Sequence, residues 1–118
     1  MPARMMVFAK VKPGEEEAFE AAFQEVTRKV KGTPGHVKDE LLRDATEPKQ
    51  EGEPTKYILL SEWESIEAFL AWEDAPIHRE VTVPMRPFWA DAVRRVIYHQ
   101  AVAPLPAGLD RAGAGRDA

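Results

Sequence analysis

Three histidines, His36, His78 and His99, are the side chains of this sequence whose ordinary pKa suits proton transfer near neutral pH. They are widely spaced. There is no HExxH pair, no Cys/His ligand cluster and no evident carboxylate set for a metal. Cysteine is absent, which excludes disulfides, thiol nucleophiles and thiolate metal sites. Ser61 and Ser65 lie outside any GxSxG turn, and the glycines of VKPGEEE and GTPGH belong to short turns rather than to a phosphate cradle. Taken singly, each histidine reads first as a surface or hydrogen-bonded structural residue.

The aromatic residues carry the second signal. Trp63, Phe69 and Trp72 fall within one stretch, Tyr57 to Trp72, and Tyr57, Phe88, Trp89 and Tyr98 lie in or near expected strands. Core packing is their ordinary role. The functional alternative is a flat apolar pocket for an aromatic molecule, with His78, Arg43 or His99 at its polar edge.

Positioning those side chains requires a scaffold, and the stretch YILLSEWESIEAFLAW shows its plan. Its first half alternates like a strand. From Ile66 the apolar residues recur at helical spacing, with Ser65 placed as an N-cap. Before it, Met5 to Val11 alternates as a first strand, and Pro13-Gly14 ends it. Glu15 to Val30 then forms a helix with Phe19, Phe23, Val26 and Val30 on its apolar stripe. The acidic start and basic end of that helix suit its dipole. Gly32 and Pro34-Gly35 turn the chain into a weaker strand, His36 to Arg43, whose alternation sets Val37, Asp39, Leu41 and Arg43 against His36, Lys38, Glu40 and Leu42. Thr46 to Lys56 has no apolar residue and reads as a solvated connection. A short helix is expected from about Ala75 to Val83, capped by Asp74 and stopped by Pro84 and Pro87, and a last strand from Phe88 to Val102.

The 118 residues suit one domain, residues 1–103, followed by a flexible tail, 104–118, rich in proline, glycine and alanine. A net charge of -4 without a Lys/Arg stripe argues against a nucleic-acid partner. No run approaches a membrane span, and the first residues do not form a signal peptide, so a soluble, cytoplasmic protein is expected.

The order strand, helix, strand, strand, helix, strand is that of a ferredoxin-like α+β fold: a four-stranded antiparallel sheet with helices on one face. The strands are apolar on both faces. The uncovered face would be a liability in water, so a homodimer through that open face is expected, the two sheets packed against each other.

The segments MVFAKVKPGEEEAFEAAFQEV, TPGHVKDELLRD and LLSEWESIEAFLAWEDAPIHREV together resemble the antibiotic biosynthesis monooxygenase domain family, over residues 4 to about 102. The resemblance implies a dimeric α+β barrel. It implies either cofactor-independent oxidation of quinol or aromatic polyketide compounds with O2, or haem binding and degradation. The haem-degrading branch uses an asparagine, a tryptophan and a ligand histidine. Here Trp72 fits the tryptophan, while Val7 and Thr82 stand at the other two positions, with His78 one helical turn before Thr82. The reading carried forward is a monooxygenase without cofactor. In it His78 is the base, Arg43 stabilises developing negative charge, and Trp72, Trp63 and Phe69 confine a small aromatic ligand. Its alternatives are a haem or small-aromatic-binding protein and a non-catalytic structural or regulatory dimer.

Overall fold

Alternation along the central strands decides which side of the sheet is covered. In β1 (Ala3–Val11) the buried residues are Ala3, Ala9 and Val11, and in β3 (Thr55–Trp63) every second residue from Thr55 to Trp63 is buried. These two strands pair antiparallel along their whole length, from Ala3 opposite Trp63 to Val11 opposite Thr55. The edges are β2 (His36–Arg43), beside β3, and β4 (Arg94–His99), beside β1, giving the order β2-β3-β1-β4 with all neighbours antiparallel. The structure, a computed structural model, describes residues 1–46 and 50–105. Of the tail expected over residues 104–118, only Pro104 and Leu105 fall among the described residues.

The helices occupy one face. α1 (Glu16–Val30) buries Phe19, Val26 and Val30 against the sheet. Its acidic first half also packs: Thr55 Oγ1 donates to Glu16 Oε2 at 2.7 Å, and the Tyr57 hydroxyl donates to Glu20 Oε2 at 2.6 Å. α2 (Ile66–Asp74) starts at Ser65, whose hydroxyl accepts the Ala68 N–H, and buries Phe69 and Trp72 three residues apart on one face. α3 (Pro76–Thr82) follows after the single residue Ala75 and buries Val81. This is the ferredoxin-like α+β arrangement expected from the order of elements. Among the described residues no helix is long and apolar enough to cross a membrane.

Several boundaries differ from expectation. Asp74 is the last residue of α2 rather than a cap, because α2 continues until the Ala75 N–H reaches the Trp72 carbonyl, and α3 begins with Pro76 at its first position. The prolines stop α3, but the chain tightens into a 3-10 helix, Val83–Phe88, in place of the start of the last strand. Trp89 makes one isolated bridge to Val11, and β4 is confined to Arg94–His99. β3 begins at Thr55, two residues earlier than expected, where Thr55 is buried and bonded to Glu16.

The most consequential difference is in β2. A bulge between His36 and Lys38 shifts the register, so that His36 lies opposite Trp63 and Asp39 opposite Ser61. Strict alternation puts His36 and Asp39 on opposite faces. The extra residue brings His36 to the helix-covered face beside Asp39, where their side chains are 6% and 11% exposed and His36 Nε2 lies 3.0 Å from Asp39 Oδ2.

Candidate functional site

The covered face of the sheet supports a chain of aromatic contacts that ends at a histidine. Trp63, 1% exposed, packs edge-on to Phe69 at 5.7 Å and lies nearly parallel to Trp72, with centroids 6.5 Å apart and 22° between planes. The Trp63 indole N–H donates to Ser61 Oγ at 2.7 Å, which fixes the ring. The break at Ala75 then turns α3 back toward α2. His78 is thereby set edge-on to Trp72, with centroids 5.2 Å apart and 83° between planes.

Trp72 and His78 line a cleft of about 70 Å³ between sheet and helices. Its apolar walls include Met5, Leu59, Phe23, Val26 and Met85, and its polar groups are Thr27, Asp39, Ser61, His78 and Thr82. The Thr82 hydroxyl is committed to the His78 carbonyl at 2.9 Å. Burial lowers the His78 pKa below its ordinary value of 6.5; the nearby Glu73 carboxylate opposes this and the Arg86 guanidinium adds to it. The imidazole is therefore neutral at neutral pH, the form that accepts a proton.

The five side chains expected at the site are distributed as follows. Trp72 and His78 meet in the cleft, whereas Trp63 and Phe69 are buried beneath Trp72 and do not line it. Arg43 lies elsewhere: its guanidinium is 3.5 Å from Glu20, and the residue borders a separate hollow of about 410 Å³ with Phe8, Leu42 and Ile58 on the uncovered face. His99, considered for the polar edge, is exposed at the end of β4 opposite Ala3. Asp39 and Ser61 are further cleft residues: they lie on the faces that alternation gives them, with Leu41 and with Trp63, whereas His36 is carried across by the bulge. The cue in the sequence is the Pro34-Gly35 turn immediately before β2, beside which the bulge forms.

The residues at the two haem-partner positions do not suit haem: Val7 packs against the core with no polar group to offer, and the Thr82 hydroxyl is already bonded to the His78 carbonyl. Among the described residues no three His, Cys, Asp or Glu side chains are grouped to hold a metal ion.

Comparison with known proteins adds ancestry to this geometry. The profile of the family described as antibiotic biosynthesis monooxygenase matches residues 2–82. The protein SchA of Streptomyces halstedii is 28% identical over 85 residues, covering 72% of this chain and 21% of SchA. A 42.8 kDa protein in the whiE locus of Streptomyces coelicolor is 32% identical over 82 residues, covering 70% of this chain and 19% of that protein. The chain thus spans about a fifth of the length of these curated relatives. Among solved structures, SnoaB, a cofactor-independent oxygenase from Streptomyces nogalater, superimposes with a TM-score of 0.68 at 19% identity, covering 90% of this chain and 99% of SnoaB. At that identity the likeness is one of fold.

Proposed function

The chain belongs to the antibiotic biosynthesis monooxygenase family, and from that premise we propose that it oxidises a small electron-rich aromatic compound of phenol or quinol type with O2, without a cofactor, in the cleft beside Trp72. The observation that carries this reading is the His78 imidazole held edge-on to Trp72 at the cleft wall, where burial lowers its pKa. The cofactor-independent oxygenase SnoaB, similar in fold, supports the absence of a cofactor.

Chemically, His78 accepts the phenolic proton, because the phenolate passes an electron to O2 far more readily than the neutral phenol. Recombination of the resulting pair gives a ring-bound peroxide. Loss of water then leaves a carbonyl: one oxygen atom stays on the ring, the other departs as water, and the substrate supplies all four electrons. Trp72 confines the ring, and Trp63 and Phe69 hold Trp72 in place. Arg43, ion-paired to Glu20, does not line the cleft.

The working unit of this reading is the domain 1–103 as a two-fold dimer. Met6, Phe8, Ile58, Leu60 and Val96 line the uncovered face of the sheet, and Leu42 and Tyr98 on the same face are 42% and 53% exposed. A second copy of the same face is the self-complementary cover.

One observation favours a second reading, a non-catalytic dimer in which Trp72 and His78 are core packing: the cleft volume of about 70 Å³ is below that of ordinary ligand sites. Oxygen uptake decides between them. With a panel of hydroquinones, wild-type protein is expected to consume O2 and His78→Ala to lose about 100-fold or more in kcat. Equal rates would remove His78 from its role, and no uptake by the wild type across the panel would support the non-catalytic dimer.

A further inference from the structure

The polar side chains of the Trp72 cleft are Thr27, Asp39, Ser61, His78 and Thr82, and two of them are already committed. The Thr27 hydroxyl donates to the Gln24 carbonyl at 2.8 Å and the Thr82 hydroxyl to the His78 carbonyl at 2.9 Å, each within its own helix. His78, Asp39 and Ser61 remain. His78 stands on α3, in the helix layer, whereas Asp39 and Ser61 lie directly opposite each other on β2 and β3, in the sheet wall.

Each member of the Asp39–Ser61 pair is half satisfied. His36 Nε2 lies 3.0 Å from Asp39 Oδ2, and among the described residues nothing donates to Asp39 Oδ1. The Trp63 indole N–H donates to Ser61 Oγ at 2.7 Å, and among the described residues nothing accepts the Ser61 hydroxyl hydrogen. One residue is thus an open acceptor and the other an open donor, with Cβ atoms about 5 Å apart as in any directly opposed antiparallel pair. Among the described residues no fully sealed side-chain oxygen lacks a partner, so Oδ1 is reachable. Asp39 also borders a separate recess beside Arg28 and Lys31, but Ser61 borders the cleft and not that recess, so the two act together only in the cleft. His36, edge-on to Trp63 at 5.0 Å, holds both from behind.

We infer that Asp39 and Ser61 form a hydroxyl-binding subsite that determines specificity: the aromatic substrate carries a second hydroxyl, which donates to Asp39 Oδ1 and accepts from Ser61, while the first gives its proton to His78. This rests on the cleft reading above and adds a specificity to it. A hydroxyl is donor and acceptor at one atom, as the pair requires. A carboxylate substituent has no hydrogen to offer Asp39, and a methyl or fluorine leaves the pair unmet, so such rings are discriminated against by the cost of unpaired buried groups.

The test is calorimetric titration in the absence of O2, so that neither probe is consumed, with hydroquinone and with 4-fluorophenol, in which a fluorine replaces the second hydroxyl. The wild type is expected to bind hydroquinone about tenfold more tightly. In Asp39→Asn the carbonyl keeps the His36 contact and an amide donor replaces the open acceptor; the preference is expected to fall to about twofold or less at unchanged 4-fluorophenol affinity. Ser61→Cys, which keeps a weak acceptor for Trp63 but donates poorly, is expected to shrink the preference too, and serves if Asp39→Asn does not fold. Equal binding of both probes by the wild type would overturn the inference and leave the cleft reading standing. A preference that survives the substitutions would overturn it by placing the second hydroxyl elsewhere, and equal weakening of both probes would do so by making the pair a support of the fold. Failure of both probes to bind the wild type would overturn both readings.

Discussion

The His78 imidazole stands edge-on to the Trp72 indole at 5.2 Å, brought there by a single non-helical residue between two short helices. Ala75 is that residue. Its backbone is extended, at φ -68° and ψ 137°, which ends α2 and turns the chain into α3.

A pH dependence follows from this placement. Burial lowers the His78 pKa, so the unfolded chain binds more protons than the folded one between the folded value and 6.5. Stability contributed by the neutral ring is therefore fully present above that window and is lost as pH falls through it. Turnover falls with it, because the base becomes protonated. The log of kcat/KM against pH should show an acid limb with its midpoint below 6.5, absent from any residual rate of His78→Gln.

Gly35 positions β2 and hence the His36–Asp39 pair. Its φ is +82°, and a Cβ there would lie 2.5 Å from the Ala68 Cβ of α2. Gly35→Ala should destabilise the fold by about 2 kcal/mol or more, from backbone strain together with overpacking, read as a lower urea midpoint at unchanged slope. Gly52→Ala shares the backbone strain but meets no neighbour, and should cost less.

Tyr57 ties the sheet to α1. Its hydroxyl is 2.6 Å from Glu20, and burial, reinforced by that carboxylate, pushes its pKa well above the ordinary 10.0. The hydroxyl is thus a permanent donor. Tyr57→Phe should cost about 1 kcal/mol in urea unfolding. Its oxygen uptake should match that of the wild type, since Tyr57 does not line the cleft.

The uncovered sheet face gives a prediction about assembly. Leu60 sits at its centre, between Met6 and Glu40 in register. Leu60→Glu should convert a dimer to a monomer in light scattering at micromolar concentration. A wild-type monomer under the same conditions would contradict the proposed dimer.

Much of the scaffold was legible because it follows simple periods: the stripe Phe19, Phe23, Val26 and Val30 in α1, the alternation of β1 and β3, and the Ser65 cap of α2. The last strand was read too long because Phe88, Trp89 and Val93 keep an apolar rhythm, while the prolines held the chain in a 3-10 helix to Phe88. The candidate site was only half legible. Trp72 and His78 belong to one run of sequence, whereas His36 reaches the covered face beside Asp39 through a bulge that periodicity cannot register. Arg43 illustrates the converse: its charge suggested an anion-stabilising role, but its place on an edge strand beside α1 gives it Glu20 instead.

The most direct measurement is a crystal structure of the protein with 2-naphthol bound. The account predicts its ring against Trp72 and its phenolic oxygen within hydrogen-bond reach of a His78 nitrogen. Density for the probe in the hollow beside Phe8 and Ile58 instead, with the Trp72 cleft closed, would contradict it.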